Sequence, residues 1–229
     1  MQGLDEEIYK APDETFIGPK LDEITAPRKY ISKEEAISSL NDLLKKQSVR
    51  SGGDERKEFA LNYIQKNKDK INEIGKEFNI PPEMIGAIIL QEQYTQTSSD
   101  QVAKLLQMVG FKNASVGLGA VTTPAARAGW DTYNKESGGH VNLPDDSMEL
   151  LKQLEEDDDF NLRSIAVYLR HVAKHVPTPK TDYYVIHSYD ELNNLSDYQK
   201  FKLLSKYNGS DEYGEKVTPY LPYIQALLS

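Results

Sequence analysis

"PPEMIGAIILQEQ", residues 81–93, is the stretch that decides how this chain is read. Two prolines suit a first helical turn and disfavour helix in the residue before them, so a helix begins at about Pro82. Ile85, Ile88, Ile89 and Glu92 then follow the three, four and seven spacing of one helical face. A carboxylate stands where the apolar stripe should continue. Burial and the negative end of the helix dipole both disfavour charge there, so the spacing predicts a raised pKa for Glu92. A carboxyl group still protonated near neutrality can serve as a general acid. The competing reading of the same spacing is a glutamate that reaches past the stripe into water.

Upstream, "SKEEAISSLNDLLKK" at 32–46 places Glu35 three residues after Ser32, a capping-box pattern. Ala36, Ile37, Leu40, Leu43 and Leu44 share one face, which predicts a short amphipathic helix. One long helix is expected from about Asp54 to Phe78, with Phe59, Tyr63, Ile64, Ile71, Ile74 and Phe78 inward. Downstream, helices are expected at about 99–109, 123–135, 146–156, 161–176, 196–207 and 212–228, and the best strand signal is "YYVIHSY" at 183–189. Residues 1–31 mix Pro, Gly and acidic residues without a period and read as an extended or disordered arm. The fold class expected is all-α, with at most a short β element, and residues 32–229 forming one domain.

Composition narrows the function. The 229 residues carry a formal charge of −9, which argues against nucleic acid because phosphate binding draws on Lys and Arg. The same charge gives no pull toward anionic membranes, and no apolar run reaches the roughly 20 residues of a membrane span. The N-terminus lacks the basic start and apolar stretch of a signal peptide. With no cysteine there is no disulfide, thiolate nucleophile or Cys-ligated zinc. His171 and His175 are spaced as metal ligands can be, but no third ligand accompanies them, so no metal and no cofactor is expected. The acidic run "EEDDD" at 155–159 lacks the glycine of a calcium loop and reads as a solvated lead into a helix. A Gly-x-Ser-x-Gly nucleophile elbow is absent from the sequence.

Two further stretches bear on Glu92. "ASVGLGAVTTPAARAG" at 114–129 is a Gly-rich turn followed by a Thr-Pro helix start, with no preceding strand to make it a dinucleotide fingerprint. "LLSKYNGSDEYGEKVTPYLPYI" at 203–224 ends a helix at Tyr207-Asn208, turns at Gly209 and restarts with Tyr213 and Val217 facing one way. Eight of the 14 tyrosines lie from Tyr183 onward, and aromatic faces suit sugar rings.

In this order, the motifs resemble the lytic transglycosylase family, whose lysozyme-like domain is similar to goose-type lysozyme. That family sets its catalytic glutamate in a Glu-Ser pair at the end of an apolar helix. A Gly-Leu-Met-Gln turn and a Pro-Ala-Thr-Ala helix start follow, and Ala-Tyr-Asn closes the set. Here the pair is Glu92-Gln93, the turn Gly117-Leu118-Gly119-Ala120, the helix start "TTPAA" at 122–126 and the closing motif Lys206-Tyr207-Asn208. "DFNLRSIAVYLRHV" at 159–172 is similar to the family's Asn-Leu, Gly, Tyr-Leu helix. The resemblance covers about residues 70–224. Gln93 stands for the family's serine and Gly119-Ala120 for its Met-Gln, and the segment "YTQTSSDQVAKLLQMVGFKN" lengthens the gap before the turn.

The resemblance implies a lysozyme-like catalytic domain that cleaves the β-1,4 bond between N-acetylmuramic acid and N-acetylglucosamine. Glu92 would be the catalytic acid and then base, and the muramic 6-hydroxyl would attack to give a 1,6-anhydro product. Gln93, Ser115, Gly117, Leu118, Tyr168, Tyr207 and Asn208 are the substrate-binding residues it implies, with Tyr207 and Asn208 orienting the carboxyl. The alternatives are a hydrolytic muramidase, whose second carboxylate would come from Asp100, Asp131, Asp182, Asp211 or Glu212, and a non-catalytic glycan-binding module. The expected partner is the peptidoglycan glycan strand, in the periplasm or cell wall. Lacking that leader, such an enzyme is expected to be phage-encoded, carried by a dedicated secretion machine or trimmed of its leader, and a secretion machine or an immunity protein is the further partner implied.

Overall fold

The computed structural model describes residues 31–47, 53–95, 115–174, 192 and 195–229. Within them the chain is all-α with one small hairpin. The helices are α1 (Lys33–Lys45), α2 (Gly53–Lys66), α3 (Lys68–Phe78), α4 (Pro82–Thr95), α5 (Thr123–Ser137), α6 (Ser147–Glu156), α7 (Asp158–Ala173), α8 (Asp197–Asn208), α9 (Asp211–Val217) and α10 (Leu221–Leu228). Strands β1 (Ser115–Val116) and β2 (Val121–Thr122) pair antiparallel ahead of α5, with Ser115 opposite Thr122 and Val116 opposite Val121.

α4 is the axis of the molecule. Its start follows from local chemistry: α3 ends on Asn79 in the left-handed conformation (φ +53°), and the Ile80 amide returns to the Gly75 carbonyl at 2.8 Å. Pro81 and Pro82 then open α4. α2, α3, α7, α9 and α10 all pack against it. Ile85, Ile88, Ile89 and Leu90 are fully buried, and each buried side chain of this size contributes about 1.5–3 kcal/mol. At Gly86 the helix α10 comes so close that a Cβ would lie 2.6 Å from Ile224 Cγ2. The expected single apolar stripe is therefore replaced by burial around the helix, and Glu92 lies at its half-buried end.

Sequence caps fix most other starts. Ser32 and Ser196 each make a capping box with Glu35 and Gln199, while Thr122, Asp146 and Asp157 accept from amides in the first turns of α5, α6 and α7. A second apolar layer forms where Phe78, Trp130, Tyr133 and Phe160 meet, and the Trp130 indole donates to Ser164 Oγ at 3.0 Å.

Four expectations need correction. The single helix from 54 to 78 is two, because Asn67 leaves the helical conformation and its amide side chain donates back to the Tyr63 carbonyl at 2.9 Å. Phe59, expected inward, is 47% exposed. The helix expected at 212–228 is interrupted by a 3-10 turn at Thr218–Tyr220, where Pro219 cannot donate. The acidic run is solvated at 155–158, but Asp159 bonds to Arg163 and Lys70 at 2.9 and 3.0 Å. The arm at 1–30, the helix at 99–109, the strand at 183–189, His175, Asp100 and Asp182 lie outside the described residues.

Candidate active site

Glu92 sits in the last turn of α4 between two buried glutamines, which anchor that turn in opposite directions. Gln91 Oε1 accepts from Tyr220 Oη at 2.9 Å, and Gln47 at the end of α1 completes the pair. Gln93 Nε2 donates to the carbonyls of Gly117 and Leu118, both at 3.1 Å. Glu92 is thus held by its chain neighbours, while its own carboxyl stays half-buried.

The turn between β1 and β2 is fastened from three helices. Gln93 holds it from α4. From α7, the fully buried Asn161 donates to the Val116 and Leu154 carbonyls at 3.2 and 2.8 Å and accepts from the Gly119 amide at 3.2 Å. From α8, Tyr207 Oη donates to the Gly119 carbonyl at 2.8 Å. Gly117 has φ +76°, and a Cβ there would collide with the Asn161 amide, so glycine is required twice over. Gly119 is similarly fixed: a Cβ would run into Ile165 and stand 3.3 Å from the Tyr207 hydroxyl. A methionine, which the resembled family has here, would not fit.

A row of aromatic rings leads to the carboxyl. Tyr213 on α9 stacks on Tyr207 at 6.3 Å between centroids, Tyr207 meets Tyr168 edge-on at 5.4 Å, and Tyr168 stacks on His171 at 6.0 Å. The His171 ring is set by a 2.8 Å hydrogen bond between Nδ1 and Thr132 Oγ1. Burial pushes the Tyr207 phenol well above its ordinary pKa, and the charge of Glu92 adds to the rise. Burial does the same to Tyr213, followed by Glu92 and then Tyr207. Both hydroxyls stay protonated donors across the neutral range. Tyr207 has spent its proton on Gly119. Tyr213 Oη is buried without a hydrogen-bond partner of full geometry, and Glu92 acts on it both by charge and as an approaching acceptor. The phenol whose proton is left for the Glu92 carboxyl is therefore Tyr213.

The structure brings Glu92, Tyr207 and Tyr168 into one neighbourhood and ties Gly117 and Leu118 to it through Gln93. Gln93 and Leu118 are themselves buried, so Gln93, expected at the substrate, has its amide committed to the turn. Ser115 and Asn208 are exposed, and among the described residues Asn208 makes no side-chain hydrogen bond. Asn161 and Tyr213 both lie within the motif stretches, at 159–172 and 203–224, yet nothing in the sequence marks either as a site residue. Only the fold shows that one clamps the turn and the other meets Glu92. A separate cavity of about 280 Å³ between α1 and α2, lined by Asn41, Asp54, Lys57, Glu58 and neighbours, contains none of these groups. No group of three or more His, Asp or Glu side chains among the described residues could hold a metal ion.

Residues 61–174 match the family described as T6SS, Peptidoglycan muramidase Tse3, catalytic domain. Over 101 residues, 43% of this chain, the sequence is 32% identical to Peptidoglycan muramidase Tse3 of Pseudomonas aeruginosa, and the chain spans only 24% of that relative's length. No solved structure matches. The family match takes in Glu92, the turn, Asn161 and Tyr168, and it stops before Tyr207 and Tyr213.

Proposed function

We propose that residues 32–229 form a peptidoglycan-cleaving catalytic domain that breaks the β-1,4 bond between N-acetylmuramic acid and N-acetylglucosamine, with Glu92 as the acid. The observation that supports this most is a half-buried carboxyl at a helix end, inside a stretch similar to a muramidase catalytic domain, with the Tyr213 phenol from beyond that stretch turned toward it. A phenol can donate to the carboxylate without becoming charged. It steadies the carboxyl while Glu92 gives its proton to the leaving oxygen and, later in the cycle, takes one back. At the half-buried end of the aromatic row, Tyr168 and His171 offer apolar ring faces to a sugar.

Within this reading, the single-carboxylate route has Glu92 acting in turn as acid and base while the muramic 6-hydroxyl attacks. That attack is intramolecular and therefore favoured. Hydrolysis would instead call on a second carboxylate to hold water. Among the described candidates, Asp211 is paired with Lys202 at 3.2 Å, Glu212 with Lys216 at 2.6 Å, and Asp131 is exposed on α5. Mass spectrometry of soluble fragments before and after borohydride treatment separates the routes. Anhydro ends, lighter by one water and resistant to reduction, support the single-carboxylate route. Fragments that take up hydrogen assign the reaction to hydrolysis and call for that second carboxylate.

The family's description also names T6SS, and that secretion route would bring an acidic protein to a wall polymer it does not attract by charge. The site of action is then the cell wall, and an immunity protein that covers Glu92 is the partner this reading expects. None of the described helices is long and apolar enough to cross a membrane.

A further inference from the structure

The backbone that carries Tyr213 to Glu92 is pressed against α8 at the very next residue. A Cβ on Gly214 would collide with the Ser205 hydroxyl and stand 2.8 Å from the Phe201 carbonyl oxygen and 2.9 Å from Phe201 Cδ2. Neither polar obstacle has room to give. The carbonyl is backbone of α8, and Ser205 Oγ is buried and already donates to it at 3.0 Å. On its other side Gly214 is tied by Thr218 Oγ1, which donates to its carbonyl at 2.7 Å. The absence of a side chain at 214 thus sets the spacing between α8 and α9. α9 has only seven residues, and Tyr213 lies on it with its ring against Tyr207, so the same spacing sets how far the Tyr213 phenol reaches.

We infer that Gly214 is a positioning residue for the Glu92 site: by letting α9 close onto α8 it holds the Tyr213 hydroxyl at the Glu92 carboxyl. This rests on Glu92 being the catalytic acid. Gly214 lies in neither the matched stretch at 61–174 nor the closing Tyr-Asn motif. Its action on rate passes through one hydroxyl, whereas a glycine that only fills space would act on stability whatever residue preceded it.

A double-mutant cycle on purified peptidoglycan separates those cases. Gly214→Ala should lower kcat about tenfold with KM little changed, because a misplacement of about 1 Å can cost about 10²-fold and this shift is smaller. In a Tyr213→Phe background the same substitution should cost less than about twofold, because the hydroxyl it displaces is already gone. Equal losses in both backgrounds, or no loss in the wild-type background, overturn the inference. If Gly214→Ala alone does not fold, as read by circular dichroism, the cycle is run with Ser205→Ala added throughout to remove the nearest collision. A folded Glu92→Gln that still cleaves would defeat the reading of the site itself, and the cycle cannot produce that outcome.

Discussion

α4 carries two glutamates at its two ends, and they are set in opposite ways. Glu83, in the first turn, is buried and bonded to the Lys200 ammonium of α8 at 2.8 Å, with both side chains about a tenth exposed or less. Glu92, in the last turn, is half-buried and meets the phenols of Tyr207 and Tyr213. A buried carboxylate matched to a cation depends on that partner, and removing the partner is felt as unfolding. Glu92 has neutral phenols beside it instead of a cation, and of these Tyr213 is the one that approaches it as a donor. The same residue type on one helix therefore does two jobs, and the neighbours decide which.

The largest effect expected from this contrast belongs to the structural end. Lys200→Met should destabilise the protein by about 3–5 kcal/mol, since it leaves Glu83 buried without its cation, while cleavage per folded molecule stays close to wild type. Chemical denaturation together with activity at low temperature checks both halves. Loss of rate without loss of stability would erase the distinction between the two ends.

At the other end the balance reverses. Tyr213→Phe should lower kcat about tenfold, the scale of one hydrogen bond to a charged group, with little change in the denaturation midpoint. Tyr207→Phe should act differently: it releases the Gly119 carbonyl, so it should loosen the turn and lower both stability and rate. Equal behaviour of the two tyrosines, measured by steady-state kinetics and melting, would contradict the assignment of Tyr213 as the donor.

The smallest effect concerns carboxylates elsewhere. Burial opposes ionisation of Glu136, but bonds to Arg170 and Lys174 outweigh it and hold the pKa below the ordinary 4.5. Its folded pKa is depressed, so the stability it contributes is present above pH 4.5 and disappears as pH falls through the depressed folded value. Asp159, held down against burial by Arg163 and Lys70, behaves the same way from its ordinary 3.8. Glu136→Gln should lower the melting temperature slightly at pH 7 and make its decline below pH 4.5 shallower. Parallel curves down to pH 3 would show that the ion pair contributes nothing.

What could be read in advance follows from how local each signal is. The prolines before α4 and the Ser32 capping box act over a few residues, and the structure has both where the sequence placed them. The split at Asn67 was hidden because asparagine is a weak stop, and only its bond to Tyr63 turns it into one. The exposed Phe59 shows that a periodic position is buried only if another helix covers it. At the candidate site, the order of motifs pointed to Glu92, the turn and Tyr207. Asn161 and Tyr213 act across 42 or more residues of chain, on Gly119 and Glu92, and no spacing rule reaches that far. The hairpin was read only as a turn because each of its strands has two residues.

Glu92→Gln incubated with purified peptidoglycan is the most direct test of the central claim. The substitution keeps the size of the side chain and removes its proton, so release of soluble fragments should fall by at least about 10²-fold while circular dichroism and the melting temperature match wild type. Near-normal release by the folded variant would contradict the account and remove Glu92 from the chemistry.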